Sequence, residues 1–116
     1  MNGWAETPLI DPAQLAGYVE LLPAEQVAAL VRAFERELNT RPALIADLVA
    51  AGDIAAARGA AHRLKGASLT IGAGRLAALA DAIELAAPAD LPALAAALPS
   101  VARDTEAVIP PLANPD

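Results

Sequence analysis

The chain contains no cysteine, which excludes disulfides and thiolate-bound metal. It has one histidine, His62, too few for a histidine-built zinc site. Aromatic residues make up only 3%, so the core has to be built from aliphatic side chains. Basic residues are scarce: eight against fourteen acids give a net charge of −6, the wrong sign for a nucleic-acid footprint. There is no charge-free apolar run of the roughly 18 residues that a membrane span needs. The opening MNGWAETPLID has no basic n-region and does not read as a secretory signal. A cytoplasmic protein without a membrane segment is the expectation.

What the chain does have is alanine and leucine. Hydrophobic residues reach 56% of 116 positions, a length suited to one domain. Alanine and leucine are strong helix formers, and small side chains let helices approach closely, so the composition predicts an all-α bundle.

Punctuation divides the chain. Residues 1–9 read as a flexible leader, 10–109 as the helical domain and 110–116 as a frayed tail. Asp11-Pro12-Ala13-Gln14 is a helix start in which Asp11 caps and Gln14 can complete a capping box. Leu15, Val19 and Leu22 mark one face of that short helix. Pro23 opens a longer helix with the stripe Val27, Leu30, Val31, Phe34 and Leu38, resumed in phase at Ile45, Leu48 and Val49. The unbroken phase predicts one helix kinked near Pro42. Gly52 and Asp53 supply a C-terminal and an N-terminal cap, and the next helix runs from about Ile54 to Leu69 or Thr70. IGAG ends it. A further helix from about Gly74 buries Leu76, Leu79 and Ile83. The last keeps phase through Leu91, Leu94, Leu98, Val101 and Val108, with Pro99 marking either a kink or a break.

The stretch AAHRLKGASLTIGAG carries the chemistry, since it holds the only histidine and the only lysine, Lys65. At about 100° per residue, Ala57, Ala60, Leu64, Ala67 and Ile71 form one core stripe. His62 lies about 160–200° away from it and faces outward, with Arg58, Gly59, Lys65, Gly66 and Leu69 on its side. A solvated surface histidine fits that position. The glycines point further. Each costs about 1 kcal/mol relative to alanine inside a helix, and they sit at the −3 and +4 positions whose side chains would crowd the ring. Their absence of side chains leaves a bare strip that another molecule can approach. Lys65 can neutralise a phosphoryl group on the ring. Arg58 reads either as a second such charge or as a solvated one, and Leu69 as a docking contact.

These residues resemble the signature of histidine-containing phosphotransfer (HPt) domains: alanine, histidine, any residue, leucine, lysine, glycine, then small residues, an aliphatic and a glycine. AHRLKGASLTIG follows it, and RLAALADAIE continues it with leucines and an acid. The similarity spans roughly residues 10–86. It implies an antiparallel four-helix bundle with a short extra N-terminal helix. It also implies that His62 accepts a phosphoryl group from a receiver-domain aspartyl phosphate and passes it to another receiver. Lys65 would lie beside the phosphate, Gly66 would give the receiver's loops room, Ser68 would fill a small-residue slot with a bond to the helix backbone, and Gly72 would make the turn. Glu84 matches the spacing at which some members hold the histidine by a carboxylate; as a lone sequence feature it reads equally as a solvated helix acid.

The resemblance further implies partners and limits: response-regulator receiver domains and a hybrid histidine kinase, no cofactor of its own, and Mg²⁺ in the receiver's pocket. No P-loop or Gly-rich ATP loop appears, so autokinase activity is not expected, nor a metal site. The dimerisation and phosphotransfer domain of sensor kinases fits poorly, because Arg63 follows His62 where an acid is usual and no proline comes nearby. A helical interaction module that docks a signalling partner without carrying phosphate is the alternative. Nothing predicts a dimer, so a monomer is expected.

Overall fold

The computed structural model describes residues 3–109; the tail read as frayed, 110–116, lies outside them. Among the described residues the chain is helical and has no strand: α1 (Gly3–Glu6), α2 (Pro12–Leu21), α3 (Ala24–Ala50), α4 (Ile54–Ile71), α5 (Gly74–Leu85) and α6 (Leu91–Val108), with a 3₁₀ turn at Pro88–Asp90.

Helices α3 to α6 close a ring in which each packs on two neighbours: α3 on α4, α4 on α5, α5 on α6, and α6 back on α3. The connections are short, which makes consecutive helices antiparallel. The core is one mainly aliphatic cluster that includes Val31, Ile45, Leu64, Leu76, Leu79, Ile83, Leu91 and Leu98, with Phe34 as its one buried aromatic. Alanines 57, 60 and 61 are all buried on α4 and let that helix lie close against its neighbours.

Local chemistry sets the boundaries. Asp11 Oδ1 accepts from the Ala13 amide at 3.0 Å and starts α2. Asp53 Oδ1 accepts from the Ala56 amide at 3.2 Å and starts α4. Gly52 and Gly72 turn the chain at φ +77° and +85°, the left-handed region that favours glycine at helix ends. Pro42 and Pro99 both lie inside continuous helices, so neither breaks its helix.

The structure departs from the sequence reading in several places. Within the stretch read as a loose leader, of which residues 1–2 lie outside the described residues, Gly3–Glu6 form α1, whose Trp4 packs against the core, and Thr7 O accepts from Arg75 Nε at 2.8 Å. Val19 is exposed, and Tyr18 turns inward in its place. Val108 is exposed too; Thr105 takes the last core position of α6, its hydroxyl satisfied by Val101 O at 2.7 Å. The side chain of Gln14 forms no capping box. It crosses to α4, where Nε2 donates to Leu69 O at 2.7 Å and Thr70 O at 3.0 Å. Tyr18 Oη donates to the same Thr70 carbonyl at 2.7 Å. Thus α2 supplies donors to carbonyls in the last turn of α4; Leu69 O also accepts from the Gly72 cap amide at 3.3 Å.

Candidate functional site

The site is built on two facing helices. On α4, His62 projects away from the core with its side chain 66% exposed. Its Nδ1 lies 2.9 Å from Glu84 Oε2 on α5. An ionised carboxylate only accepts, so this contact puts the proton on Nδ1 and leaves Nε2 as the unprotonated nitrogen of the neutral ring. Nε2 has no hydrogen-bond partner among the described residues.

The second oxygen of Glu84 is shut off from solvent and faces the Lys65 ammonium at 2.8 Å. That ammonium also meets Asp81 Oδ1 at 3.2 Å. An advance of three residues from His62 to Lys65 on α4 is matched by a retreat of three from Glu84 to Asp81 on α5, as antiparallel packing requires. The ammonium of Lys65 lowers the Glu84 carboxyl most, partial burial pushes the other way, and His62 lowers it further; the net result lies below the ordinary 4.5. Lys65 is raised above 10.5, chiefly by Glu84 and then by Asp81.

The glycines leave open space. A Cβ placed on Gly59 or on Gly66 would meet nothing within 4 Å. Neither glycine is therefore required by packing inside this chain. Leu69, on the same side, is 57% exposed. Gly72 serves the fold: beyond its positive φ, a Cβ there would come 3.2 Å from Asp11 O.

Two residues differ from the sequence reading. Arg58 neither reaches the histidine nor stands free in solvent; its Nη2 donates to Ala86 O at 2.8 Å and ties α4 to the end of α5. Ser68 is fully buried on the core side, but its hydroxyl makes no hydrogen bond, so only the packing part of its expected role is present. Asp81 was not readable as part of the site from α5 alone. The available signal was its spacing: Asp81 and Glu84 repeat, on α5, the interval between Lys65 and His62 on α4.

Residues 29–108 match the family model of the Hpt domain. The chain belongs to the Hpt domain family. No curated protein and no solved structure shows significant similarity to it. The family match covers α4, α5, α6 and α3 from residue 29 onward, including His62, Lys65, Asp81 and Glu84, whereas α1 and α2 precede it. Hpt domains serve phosphotransfer in two-component signalling, where they interact with receiver domains and histidine kinases, and this membership gives the chain that general role.

Proposed function

We propose that this Hpt domain is a phosphorelay carrier that accepts a phosphoryl group on Nε2 of His62 from a receiver-domain aspartyl phosphate and passes it to a second receiver. The observation that carries this reading is an exposed imidazole whose Nδ1 is engaged by Glu84 Oε2 at 2.9 Å, which leaves Nε2 facing outward as a nucleophile. In the transfer the P–O bond of the acyl phosphate breaks and an Nε2–P bond forms. The receiver's carboxylate leaves with the electron pair, and the Nδ1 proton stays in place. Glu84 balances the positive charge that develops on the ring. Lys65 neutralises charge on the phosphoryl oxygens. Gly66 and Gly59 keep the approach open, and Leu69 offers an apolar contact to the docked receiver.

The chain supplies positioning and charge, which is most of what phosphoryl transfer requires of a protein. Mg²⁺ belongs to the receiver's pocket in this reading, and the carrier acts without ATP or autokinase chemistry. The upstream source is a hybrid histidine kinase. We assign the carrier to the cytoplasm, and we read it as a monomer because the core stripes of α3 to α6 pack into one cluster; sedimentation checks the monomer. No helix among the described residues is long and apolar enough to cross a membrane.

The test is transfer of radiolabel from receiver domains charged on aspartate, with His62→Gln as control. Acid-labile, base-stable label on the wild type alone is the expected result. No label from a broad panel of receivers, with the bundle folded, would sink the carrier reading and favour the interaction module.

A further inference from the structure

The geometry points to Asp81 as a positioning residue that holds the Lys65 ammonium in its resting place and gives it up when a phosphoryl group occupies Nε2 of His62. This inference rests on the carrier reading and deepens it.

Lys65 stands one helical turn beyond His62 on the same face, within reach of a group on the ring. Its ammonium is nevertheless drawn toward α5 by two carboxylates, Glu84 Oε1 at 2.8 Å and Asp81 Oδ1 at 3.2 Å. The ammonium donates a hydrogen bond to Asp81 Oδ1, and Glu84 Oε1 holds it as a close ion pair. A phosphoryl group on Nε2 brings strong new acceptors and further negative charge. Engaging them draws the ammonium toward the ring and weakens its hold on the carboxylates of α5.

The two carboxylates are not equal. Glu84 also binds Nδ1 of His62, and its side chain is 26% exposed. Asp81 makes the longer contact, serves no other side chain among the described residues, and is 48% exposed. Water re-solvates Asp81 more readily, so the Asp81 contact opens first. With Lys65 shared in this way, the phosphorylated histidine has to compete for its counter-charge. The ammonium therefore binds the phosphoryl group less tightly than a free lysine would, and the phosphohistidine remains a ready donor to the next receiver. Of the other charged residues on α4, Arg63 follows His62 in sequence and is exposed, and Arg58 is tied to Ala86.

A test independent of any partner loads His62 with phosphoramidate. The P–N bond to ammonia breaks, the Nε2–P bond forms and ammonia leaves. ³¹P NMR then follows the titration of the phosphoryl group in wild type, Asp81→Asn, Lys65→Met and the double variant. Exposed ion pairs are worth about a two- to five-fold change in an equilibrium constant. The expected result is that Asp81→Asn moves the phosphoryl midpoint to lower pH by that factor, about 0.3–0.7 pH unit, because the ammonium is freed for the phosphate. Asp81→Glu restores the wild-type midpoint. In the Lys65→Met background, Asp81→Asn has a markedly smaller effect.

An equal shift in both backgrounds would show Asp81 acting as a bare negative charge and would overturn the inference. So would no shift in either. Both outcomes leave the carrier reading intact, since that stands or falls on transfer from receivers. Failure of phosphoramidate to load the folded wild type would count against His62 as a nucleophile, and hence against both.

Discussion

Glu84 on α5 holds His62 on α4 through a 2.9 Å contact between Oε2 and Nδ1, across 22 positions of sequence. The contact selects the tautomer, and its loss is the most informative single change. Glu84→Ala should leave the fold intact and let the ring proton redistribute between the two nitrogens. Transfer from a charged receiver should then slow about ten-fold, the lower end of what loss of a ligand-orienting partner costs. ¹⁵N chemical shifts of His62 would report the tautomer alongside the transfer rate. An unchanged tautomer with an unchanged rate would remove Glu84 from the mechanism.

The same carboxylate gives the domain a defined acid limit. Lys65 first, and then His62, hold Glu84 below its ordinary 4.5. A carboxyl lowered by folding stabilises the fold fully above 4.5, and that contribution disappears as the pH falls through the lowered value. Lys65 has the opposite sign: raised above 10.5, it contributes fully below 10.5 and is lost as the pH rises through the raised value. Between these limits the network is intact. ¹³C titration of the Glu84 side-chain carboxyl should show a midpoint below 4.5 that moves upward in Lys65→Met. A midpoint that stays put would mean that Lys65 is not what holds the carboxyl down.

Gly66 separates stability from function. Its Cβ position is empty space, so Gly66→Ala should stabilise the bundle by about 0.5–1 kcal/mol through helix propensity alone. Gly66→Leu should fold as well, yet slow transfer from the receiver by filling the strip beside His62. Thermal unfolding measures the first effect and the labelled-receiver assay the second. Gly66→Leu transferring at the wild-type rate would show that the receiver does not need the strip. Gly59→Ala should gain similar stability, which extends the comparison to the other side of the ring.

Gly72 reverses that logic. It has φ +85°, and a Cβ would press to 3.2 Å on Asp11 O, whose residue donates its own amide to Gly72 O at 2.7 Å. Gly72→Ala should destabilise the domain by about 1–2 kcal/mol from the left-handed backbone alone. Urea denaturation checks it, and a loss smaller than that of an exposed alanine substitution on α3 would contradict it.

The parts of this molecule that were legible in the sequence are those governed by local rules. Caps at Asp11 and Asp53, glycines at 52 and 72 and the stripes of α3 to α5 all follow from helix periodicity and end chemistry. The outward direction of His62 follows from the same phase. What stayed hidden depends on register between helices. Asp81 reaches Lys65, and Arg58 reaches Ala86, because α4 and α5 slide to one particular alignment that neither helix specifies alone. Trp4 lies in a stretch too short and too loosely patterned to read as a helix, and it is ordered by the core it covers. Thr105 displaces Val108 from the core because a hydroxyl that bonds back to Val101 O can be buried, which a hydrophobicity pattern does not count.

The contact between α2 and the end of α4 gives a last prediction. Leu69 O and Thr70 O lie in the final turn of α4; Gln14 donates to both and Tyr18 to Thr70 O, while the Gly72 amide also donates to Leu69 O at 3.3 Å. Gln14→Ala removes two bonds to α4 and Tyr18→Phe removes one, and either also removes the 3.5 Å bond from Gln14 Nε2 to Tyr18 Oη. An intramolecular hydrogen bond is worth about 0.5–1.5 kcal/mol, and water can replace donors to exposed carbonyls, so each variant should lose stability near the lower end of that range. The local effect should be larger than the global one. The Ala73 amide, which donates to Ser68 O at 2.8 Å, should exchange faster with solvent in both variants because the α4 terminus frays. His62 sits about two turns upstream of Thr70, and the Glu84 contact holds it from the other helix. Phosphoryl transfer should therefore change by less than two-fold. A large loss of transfer with unchanged Ala73 exchange would mean that α2 acts on the docked receiver directly, by presenting its own surface, and that its bonds to α4 are incidental to that task.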